Sequence, residues 1–489
     1  MTKLTTQFRT VFQHEQRLFR ADRLTLIIAL ILLMAIGYAI FNGVSWVNKQ
    51  QQAVRVAQKD ESTRVQELKE KLAAMNQGAF TPSRISDSPE NPMQVGSRHA
   101  ATYAVMPLTA LAAISIGQGD LNPTYVKVSA DNKDTFAFNE EIENPSNLLI
   151  GHFDLAFVLV FLLPLLIIAL SYNLLSAERE QGTLAMTLSN SVSLIALLTG
   201  KIAFRAALVF SCVAIVTVAG LVTASVDLIA KDGLFRLGWW IALLFAYGVF
   251  WFALSMAVNG LGKTSAQNAL ILVGLWIVFL LVMPTLLGVA VNMTYPVPPR
   301  TEMVGMLRAI QTDVNNEYDA TVAHSEQTVS EGRIVPGILD SKDYRDVQKK
   351  IAVQQAAAER NAQVLARYEH SLASQQSVVD RLRYLSPAIL LQEALNDVAG
   401  TDSARYRHFY DQVDLFHRDW QAVFLPKALY NTRLTLSDYE QFPRFRYIEQ
   451  SWTGLHRRLL GDLFGLLIPI GLLYLLGVRR VRNYPVTGT

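Results

Sequence analysis

The sequence predicts an all-α membrane protein with six transmembrane helices and two extracytoplasmic insertions, which are mainly helical with a little strand in the first. Three observations support this fold class. Of the 489 residues, 51% are hydrophobic and only 17% are charged, whereas a soluble protein usually carries about 25% charged residues. Several apolar runs reach the ~20 residues that a ~30 Å hydrocarbon core requires. Basic residues gather beside particular ends of these runs, and such a bias sets the orientation of membrane helices.

The chain begins with a basic stretch, residues 1–23, in which Phe8, Phe12 and Phe19 recur at roughly helical spacing. This pattern predicts a helix along the cytoplasmic interface, and a disordered basic tail is the alternative. The first apolar run, residues 24–47, is longer than the core of a signal peptide and lacks a small-residue cleavage site. It is therefore interpreted as an uncleaved anchor.

The first extracytoplasmic insertion covers residues 48–152. Its first part is rich in Gln, Lys, Glu and Ala, which predicts that the first span continues outward as a helix to about Ala74. The rest is rich in Pro and Gly, and Thr124–Ser129 alternates in the manner of a strand. A small and irregular domain is expected here.

The second extracytoplasmic insertion, residues 292–458, is the largest soluble piece. From Lys342 to Arg383 it contains neither Gly nor Pro, which predicts one long helix. Ser386 is a candidate cap for a following helix that extends to Leu395. Aromatic residues crowd between Tyr406 and Tyr447 and supply the apolar area of a core.

The remaining boundaries follow from the apolar runs. The spans are predicted at residues 24–47, 153–176, 202–225, 238–258, 267–291 and 459–478, with a cytoplasmic coupling segment at 177–201 and a cytoplasmic tail at 479–489.

Six spans place both termini in the cytoplasm. Positive charge then lies inside at the N-terminus, at Lys201 and Arg205, at Lys263 and at Arg479–Arg482. Arg457–Arg458 lie on the outer side and run against this rule. The long domain that precedes them translocates regardless of charge, so the exception is tolerated.

Several function classes are disfavoured. Ala257–Thr264 has the spacing of a relaxed phosphate-binding loop, but a membrane span precedes it where that loop needs a buried strand. A turn between spans is the simpler interpretation. Charged residues are almost absent from the interiors of the spans, whereas a proton relay requires ionisable side chains there. The net charge of +3 is too small to indicate nucleic acid binding.

Metal and disulfide chemistry find little support. His408 and His417 have aspartates nearby, yet their spacing lacks the tight His or Cys pair of a zinc site. We therefore expect no metal site. The single cysteine, Cys212, excludes an intrachain disulfide.

The segment after the second span carries the sharpest functional signal. Gly182 allows a tight turn and Thr183 can cap the next short helix. The charged side chains before them would lie at the membrane face, where a partner protein could pair with them; an ordinary hydrophilic loop is the alternative. The candidate coupling residues are Glu178, Arg179, Glu180, Gly182, Thr183, Leu184 and Lys201.

Together, Pro164–Leu170, Glu178–Leu184 and Gly200–Lys201 resemble the signature of ABC-2 type transporter permeases. In that family the connector is a coupling helix that docks into a groove on a separate ATP-hydrolysing subunit. This chain differs at Ser191–Leu194, where the family usually has proline followed by a basic residue, and at Asn173, where an acid is common.

Two further stretches, Tyr295–Arg300 and Leu385–Thr401, resemble one branch of that family, whose permeases carry a large extracytoplasmic insertion of unassigned role. The resemblance implies a permease subunit that is not itself an enzyme and that couples ATP hydrolysis to export or extrusion. It implies a bacterial inner membrane, ABC ATPase subunits as partners and a second permease copy or paralogue. ATP and Mg would be bound by the ATPase, with no cofactor in this chain and no nucleic acid partner.

Two alternatives remain open. The chain could transmit ATP-driven motion to an extracytoplasmic or outer-membrane partner without transport, or it could be a non-transporting membrane scaffold or sensor. If the chain exports a ligand or transmits motion, the connector moves as a rigid lever when the ATPase pair closes. Pro164, Pro284 and Pro469 are then expected bending points within the spans.

Overall fold

The computed structural model describes residues 2–21, 23–84, 87–117, 119, 122–131, 153–189, 193–224, 226–227, 232–297, 299–329, 342–430 and 432–485. Predictions that fall on residues 132–152, 228–231 and 486–489, or on Ser191, Val192 and Pro298, lie outside this part of the chain.

Six helical segments of the described residues are long and apolar enough to cross a bilayer, which confirms the predicted all-α membrane fold. The helices that precede the second insertion are α1 (Thr2–Ala21), α2 (Arg23–Asn76), α3 (Pro92–Gln94), α4 (Leu155–Phe157, a π-turn Val158–Leu162 and Leu163–Ser171), α5 (Ser176–Glu180), α6 (Thr183–Ser189), α7 (Leu194–Thr223), α8 (Gly233–Asn259) and α9 (Ser265–Ile277, a π-turn Val278–Val282 and Met283–Thr294).

The second insertion and the last span are helical as well. Their helices are α10 (Arg300–Val329), α11 (Lys342–Leu382), α12 (Pro387–Ala399), α13 (Ser403–Leu429), α14 (Leu436–Glu440) and α15 (Trp452–Arg482). Spans 1 to 6 are α2, α4, α7, α8, α9 and α15. The expected long helix of the second insertion is confirmed by α11.

The predicted strand in the first insertion is also confirmed. β1 (Thr102–Val105) and β2 (Tyr125–Val128) form an antiparallel pair in which Thr102 lies opposite Val128. They are the two strands found in the described residues.

Helix boundaries differ from the sequence predictions where a cap decides them. α7 begins at Leu194, well before the predicted start of span 3, because the Ser193 side chain accepts a hydrogen bond from the amide of Ala196 at 3.2 Å. The coupling segment is correspondingly shorter than predicted. α12 extends to Ala399, past the predicted end, because Gly400 takes a left-handed conformation with φ of 69°.

Span 4 is the central helix of the membrane bundle. In its most apolar window, 78% of residues are buried within the protein, against 11% for span 5. Trp240, Tyr247 and Trp251 of span 4 are fully buried and fill the middle of the bundle. Spans 3, 5 and 6 surround this core and leave large apolar side chains facing outward, as a lipid environment permits.

Proline explains the two π-turns. Pro164 follows the π-turn of span 2 and Pro284 follows the π-turn of span 5. A proline lacks the amide that would bond an earlier carbonyl, and its ring crowds that carbonyl, so the helix widens locally. The predicted irregularities at these prolines are therefore present, whereas α15 continues through Pro469.

The two insertions share one core, although the sequence treated them as separate domains. Leu68 and Leu72 of the extended α2 pack with Val95 and Val128 of the first insertion and with the aromatic side chains of α13. The rings of Trp420 and Phe424 pack at a tilt, with 5.0 Å between their centroids. We call this side of the bundle the insertion end, and the opposite side, where α5 and α6 lie, the connector end.

Candidate functional site

The connector consists of α5, a turn at Gln181 and Gly182, and α6. The amide of Gly182 donates to the carbonyl oxygen of Arg179 at 3.0 Å. Gly182 has a φ of +72°, a left-handed conformation that is costly for residues with a Cβ atom. The predicted tight turn is confirmed, and it lets two short helices fold back against the ends of the spans.

Glu178 is held by span 3. The Lys201 Nζ atom lies 2.6 Å from Glu178 Oε1 and donates to the carbonyl oxygen of Leu174 at 3.1 Å. Lys201 is buried, so this ion pair is shielded from water and one geometry is favoured. Glu178 and Lys201, two of the predicted coupling residues, are therefore partners of each other.

Arg179 is held by the turn between spans 4 and 5. Its guanidinium donates to the carbonyl oxygens of Gly262 at 2.7 Å and Lys263 at 3.0 Å. It also lies over the Tyr484 ring, 5.5 Å from its centroid, within the range of a cation–π interaction. The structure therefore uses the Gly-rich stretch at 257–264 as a turn between helices, as predicted.

Glu180 is held by the first residue of span 5. Its carboxylate accepts from the Ser265 amide at 2.6 Å and from the Ser265 hydroxyl at 2.9 Å. A carboxylate at this position satisfies an otherwise unpaired amide and interacts favourably with the helix dipole. Thr264 and Gln267 complete the same helix start as a capping box.

These three attachments form the connector latch, which comprises Glu178–Lys201, Arg179 with the 262–263 carbonyls, and Glu180–Ser265. The sequence analysis expected the same charges to pair with a partner protein. In the structure they are engaged within the chain, because residues of span 3, of the turn between spans 4 and 5 and of span 5 converge on α5. The latch fixes the connector to these three places at once.

Thr183 and Leu184 complete the attachment. The Thr183 hydroxyl donates to the carbonyl oxygen of Glu178 at 3.2 Å, so it closes the turn instead of capping α6 as expected. Leu184 is fully buried in a cluster with Leu174, Leu198 and Met256. It anchors α6 on the connector end of the bundle.

The outer surface of the connector remains open. Gln181, Gly182, Thr183, Ala185 and Met186 are exposed. Met186, a large apolar residue in the middle of α6, is 72% exposed. Such a surface suits contact with another protein.

Sequence reasoning missed a polar column that runs from the latch into the bundle. The Asn259 Nδ2 atom donates to the carbonyl oxygens of Ser171 at 2.8 Å and Ser255 at 2.9 Å. The hydroxyls of Ser171 and Ser255 are 2.8 Å apart. The available signal was a set of small polar residues inside apolar runs, which join helices in membranes.

The sequence predicted a helix at the N-terminus along the membrane interface, but it did not predict a packing partner for that helix. Its helical state is confirmed by α1. Glu15 of α1 is buried and pairs with Arg205 of span 3 at 3.1 Å. Phe12 packs edge-on against Phe204, with 5.2 Å between ring centroids. α1 therefore packs against span 3.

At the insertion end, α12 lies between the spans and the shared core. Arg236 of span 4 donates to the carbonyl oxygens of Asp397 at 3.2 Å and Val398 at 2.9 Å. Arg458 of span 6 pairs with Asp397 through two nitrogens, at 3.0 and 3.1 Å. Arg458 also lies 3.5 Å from Asp402. We call Arg236, Asp397, Asp402 and Arg458 the insertion node.

The insertion node explains why Arg458 is tolerated on the outer side of span 6, where the charge rule for membrane helices disfavours a basic residue. Two carboxylates neutralise Arg458 locally, and a paired arginine is tolerated beside a membrane far better than a free one. The node also lines a small, partly open pocket, together with Arg405 and Glu449.

Burial shapes the ionisation of this region. Desolvation raises the pKa of Asp397 and the neighbouring charge of Asp402 adds to this shift, while the charge and hydrogen bond of Arg458 oppose it and favour the carboxylate. Desolvation also raises the pKa of Glu393 to about 7. Burial would raise the pKa of Glu449 too, but the hydrogen bonds and charge of Arg405 outweigh it and hold that pKa below its ordinary value.

The histidines that were weighed as metal ligands have other contacts. The Nε2 atom of His417 lies 2.8 Å from the carbonyl oxygen of Asp131, and that of His408 lies 3.0 Å from the carbonyl oxygen of Ile448. Within the described ranges, no group of three or more His, Cys, Asp or Glu side chains is arranged to hold a metal ion.

Comparison with known protein families gives one match. Residues 305–448 match a family described as a domain of unknown function, DUF3526. The matched region runs from α10 through the aromatic helix α13 to the extended segment before span 6, and so covers most of the second insertion. No curated protein matches the chain.

Proposed function

We propose that this chain is the membrane-spanning permease subunit of an ABC transporter of the ABC-2 type, driven by a separate ATPase that docks on the connector end. The connector latch is the observation that carries the proposal. Ion pairs and hydrogen bonds attach α5 to span 3, to the turn that joins spans 4 and 5, and to the first residue of span 5. A force applied to the connector therefore acts on three spans together.

The sequence resemblance and the latch support the same mechanism. Closure of a pair of ATPase subunits around ATP and Mg would push the connector, and the spans would tilt in response. Affinity for an exported ligand changes only through contacts that differ between the two states. Two permease chains, identical or related, would pair with two ATPase subunits, with the connector in the cytoplasm of a bacterial cell.

The docking contact is expected on the exposed surface of the connector, not on its charged side chains. Glu178, Arg179 and Glu180 are occupied by the latch. Met186 lies in α6 and is a large, exposed apolar residue of the connector. It is suited to fill a pocket on the ATPase as a central anchor of the interface.

A site-specific cross-link tests this proposal. A photoreactive amino acid replaces Met186 in the full chain, expressed in a bacterium that carries the natural gene cluster. The expected product is a cross-link to a polypeptide with a phosphate-binding loop, identified by mass spectrometry. A second variant, Met186→Glu, should lower the Mg-ATP hydrolysis that co-purifies with the chain at least tenfold without changing its thermal unfolding temperature.

A photoreactive residue at Tyr430 serves as the matched control. Tyr430 is also exposed but lies in the second insertion, at the opposite end of the bundle. It should give no cross-link to the ATPase. Cross-links from position 186 that never include a nucleotide-binding polypeptide would overturn the proposed function.

A second candidate function is transmission of motion to an envelope partner without transport. The insertion node favours it, because α12 is bonded to spans 4 and 6 and also to the first insertion. The Ser115 hydroxyl donates to Asn396 Oδ1 at 2.6 Å, and the Thr401 hydroxyl donates to the carbonyl oxygen of Ser115 at 3.1 Å. Tilting of spans 4 and 6 would therefore move the whole insertion end.

Distance measurements between spin labels separate the two candidates. Mg-ATP should change the distance between labels on the insertions of two paired permeases in both cases. The double variant Arg458→Gln with Asp397→Asn removes both charges of the node pair. If the chain transmits motion through the node, the double variant should abolish the distance change while ATP hydrolysis persists. If the chain only transports a ligand, both ATP hydrolysis and the distance change should persist in the double variant.

A further inference from the structure

The segment between α14 and span 6 lies outside the helices and strands, and its residues alternate in exposure. Phe445 and Tyr447 are half-buried and face the aromatic core, with Phe445 5.4 Å from Phe416 between ring centroids. Arg444, Arg446 and Ile448 alternate with them and are exposed. A period of two is the signature of a β-strand with one covered face. This segment forms no ladder with another strand of the described residues.

One edge of this segment is already bonded. The Ile448 amide donates to Gln412 Oε1 at 2.8 Å, and the Gln412 Nε2 atom donates to the Ile448 carbonyl oxygen at 2.9 Å. A glutamine side chain of α13 thus replaces a neighbouring strand on that side. One side chain reaches both backbone groups of Ile448, as the edge of an extended chain permits, without any sheet.

The other edge has no hydrogen-bond partner among the described residues. In an extended chain the amide and carbonyl of successive residues point to opposite edges, so Phe445 and Tyr447 direct theirs away from Gln412. Across the part of the chain that the structure describes, the backbone groups of residues 444–447 make no hydrogen bond. An unpaired edge of this kind is a template for another strand.

Charge indicates what this edge would accept. Arg444 and Arg446 are exposed on the same face and enter no ion pair with any described residue. Ile448 extends the face with an apolar side chain that is 69% exposed. An antiparallel strand would place its own side chains directly opposite these three residues.

We propose that residues 443–448 bind an extended, acidic segment of a partner protein by β-strand addition. Phe445 and Tyr447 would exchange backbone hydrogen bonds with the incoming antiparallel strand. An apolar side chain of that strand would face Ile448, and the two carboxylates that follow it would face Arg446 and Arg444. The aromatic rings and Gln412 hold the edge in place before binding, which lowers the entropic cost of association.

A peptide is favoured over an anionic lipid headgroup for a structural reason. Two arginines alone would suit either ligand. A headgroup, however, makes no use of an open backbone edge with a period of two, whereas a strand uses both the edge and the charges. The proposal goes beyond the permease function and does not depend on it.

The test uses the purified full chain in discs of neutral lipid and a labelled, end-blocked peptide of sequence Thr-Val-Thr-Glu-Thr-Glu-Thr. Its Val and two Glu residues are placed to face Ile448, Arg446 and Arg444. Fluorescence anisotropy should detect saturable binding. The variant Arg444→Glu with Arg446→Glu should weaken it at least tenfold.

Two controls separate strand addition from simple charge attraction. Arg407→Glu with Arg418→Glu makes the same change in net charge at other exposed positions of α13, and it should alter affinity less than twofold. Peptide N-methylated at the two Thr residues that face Phe445 and Tyr447 keeps its charge but loses two amide donors. It should bind at least tenfold more weakly.

Three outcomes would overturn the proposal. The first is equal binding of a peptide with Lys in place of Glu, and the second is undiminished binding of the N-methylated peptide. The third concerns lipid and uses a dye attached to the cysteine of Ile448→Cys in a Cys212→Ser background. Here the contradicting result is a change in dye fluorescence when the disc contains phosphatidylglycerol but no change when the peptide is added. Any of these results would show that the edge is not a strand-binding site.

Discussion

At the two proline positions with π-turns, a single side chain supplies the hydrogen bond that the irregular helix backbone has lost. Pro164 lacks the amide that would bond the carbonyl oxygen of Val160, and the Tyr247 hydroxyl donates to that oxygen at 2.9 Å instead. In span 5 the Ser386 hydroxyl donates to the carbonyl oxygen of Phe279 at 2.7 Å. Freed carbonyls inside a membrane need such partners.

Ser386 has a second role in the same place. Its side-chain oxygen accepts a hydrogen bond from the Ile389 amide and so caps α12. The sequence predicted the cap because the signal is local, a serine before proline and an apolar helix. It could not predict the contact with Phe279, which lies 107 residues away along the chain.

Ser386→Ala is expected to destabilise the protein by about 1–3 kcal/mol. Loss of an N-cap costs typically ~1 kcal/mol, and the unpaired carbonyl of Phe279 adds a penalty of similar size. Thermal unfolding in detergent, followed by circular dichroism, measures the effect. Ser377→Ala on the exposed face of α11 is the control. Equal unfolding temperatures for the two variants would contradict the double role.

At the scale of elements, the connector shows where sequence reasoning succeeds and where it stops. The turn at Gly182 and the end of span 2 were predictable, because glycine and a change of polarity are local signals. The pairing of Arg179 with Gly262 was not, since these residues are 83 positions apart. Charges that looked available to a partner are in fact satisfied by other spans.

Gly182→Ala is expected to loosen the connector. No atom lies within 4 Å of a Cβ added at Gly182, so the only cost is the left-handed backbone, about 1–2 kcal/mol. We expect a lower unfolding temperature and faster proteolytic cleavage near residue 182. Gly274→Ala, in span 5, also meets no neighbouring atom and keeps its helical conformation. If Gly182→Ala behaves like this control, the turn is not under conformational constraint.

At the scale of the whole molecule, the sequence predicted six spans, two insertions and an aromatic core, because long apolar runs and clustered aromatic residues are strong signals. It did not predict that the two insertions share that core. Leu68 and Leu72 lie in one core with side chains of the helix at 403–429, which is more than 300 positions away along the chain. No local pattern encodes such an arrangement.

The topology makes a prediction about accessibility from the two sides of the membrane. In a Cys212→Ser background, Met186→Cys and Ile448→Cys each carry one exposed thiol, at the connector end and the insertion end respectively. A membrane-impermeant maleimide should label Ile448→Cys in intact cells with a permeable outer membrane. It should label Met186→Cys only after the inner membrane is opened. Labelling of both thiols from the same side would contradict six spans.

Helix α2 runs without a break for 54 residues, from the connector end through the bilayer into the shared core. Its part beyond the predicted span, residues 48–76, is a rod of about 43 Å at 1.5 Å per residue. A rod of that length that pivots by ~10° carries its far tip through about 7 Å. A small change in the tilt of α2 within the lipid would thus produce a much larger displacement of its far end, away from the membrane.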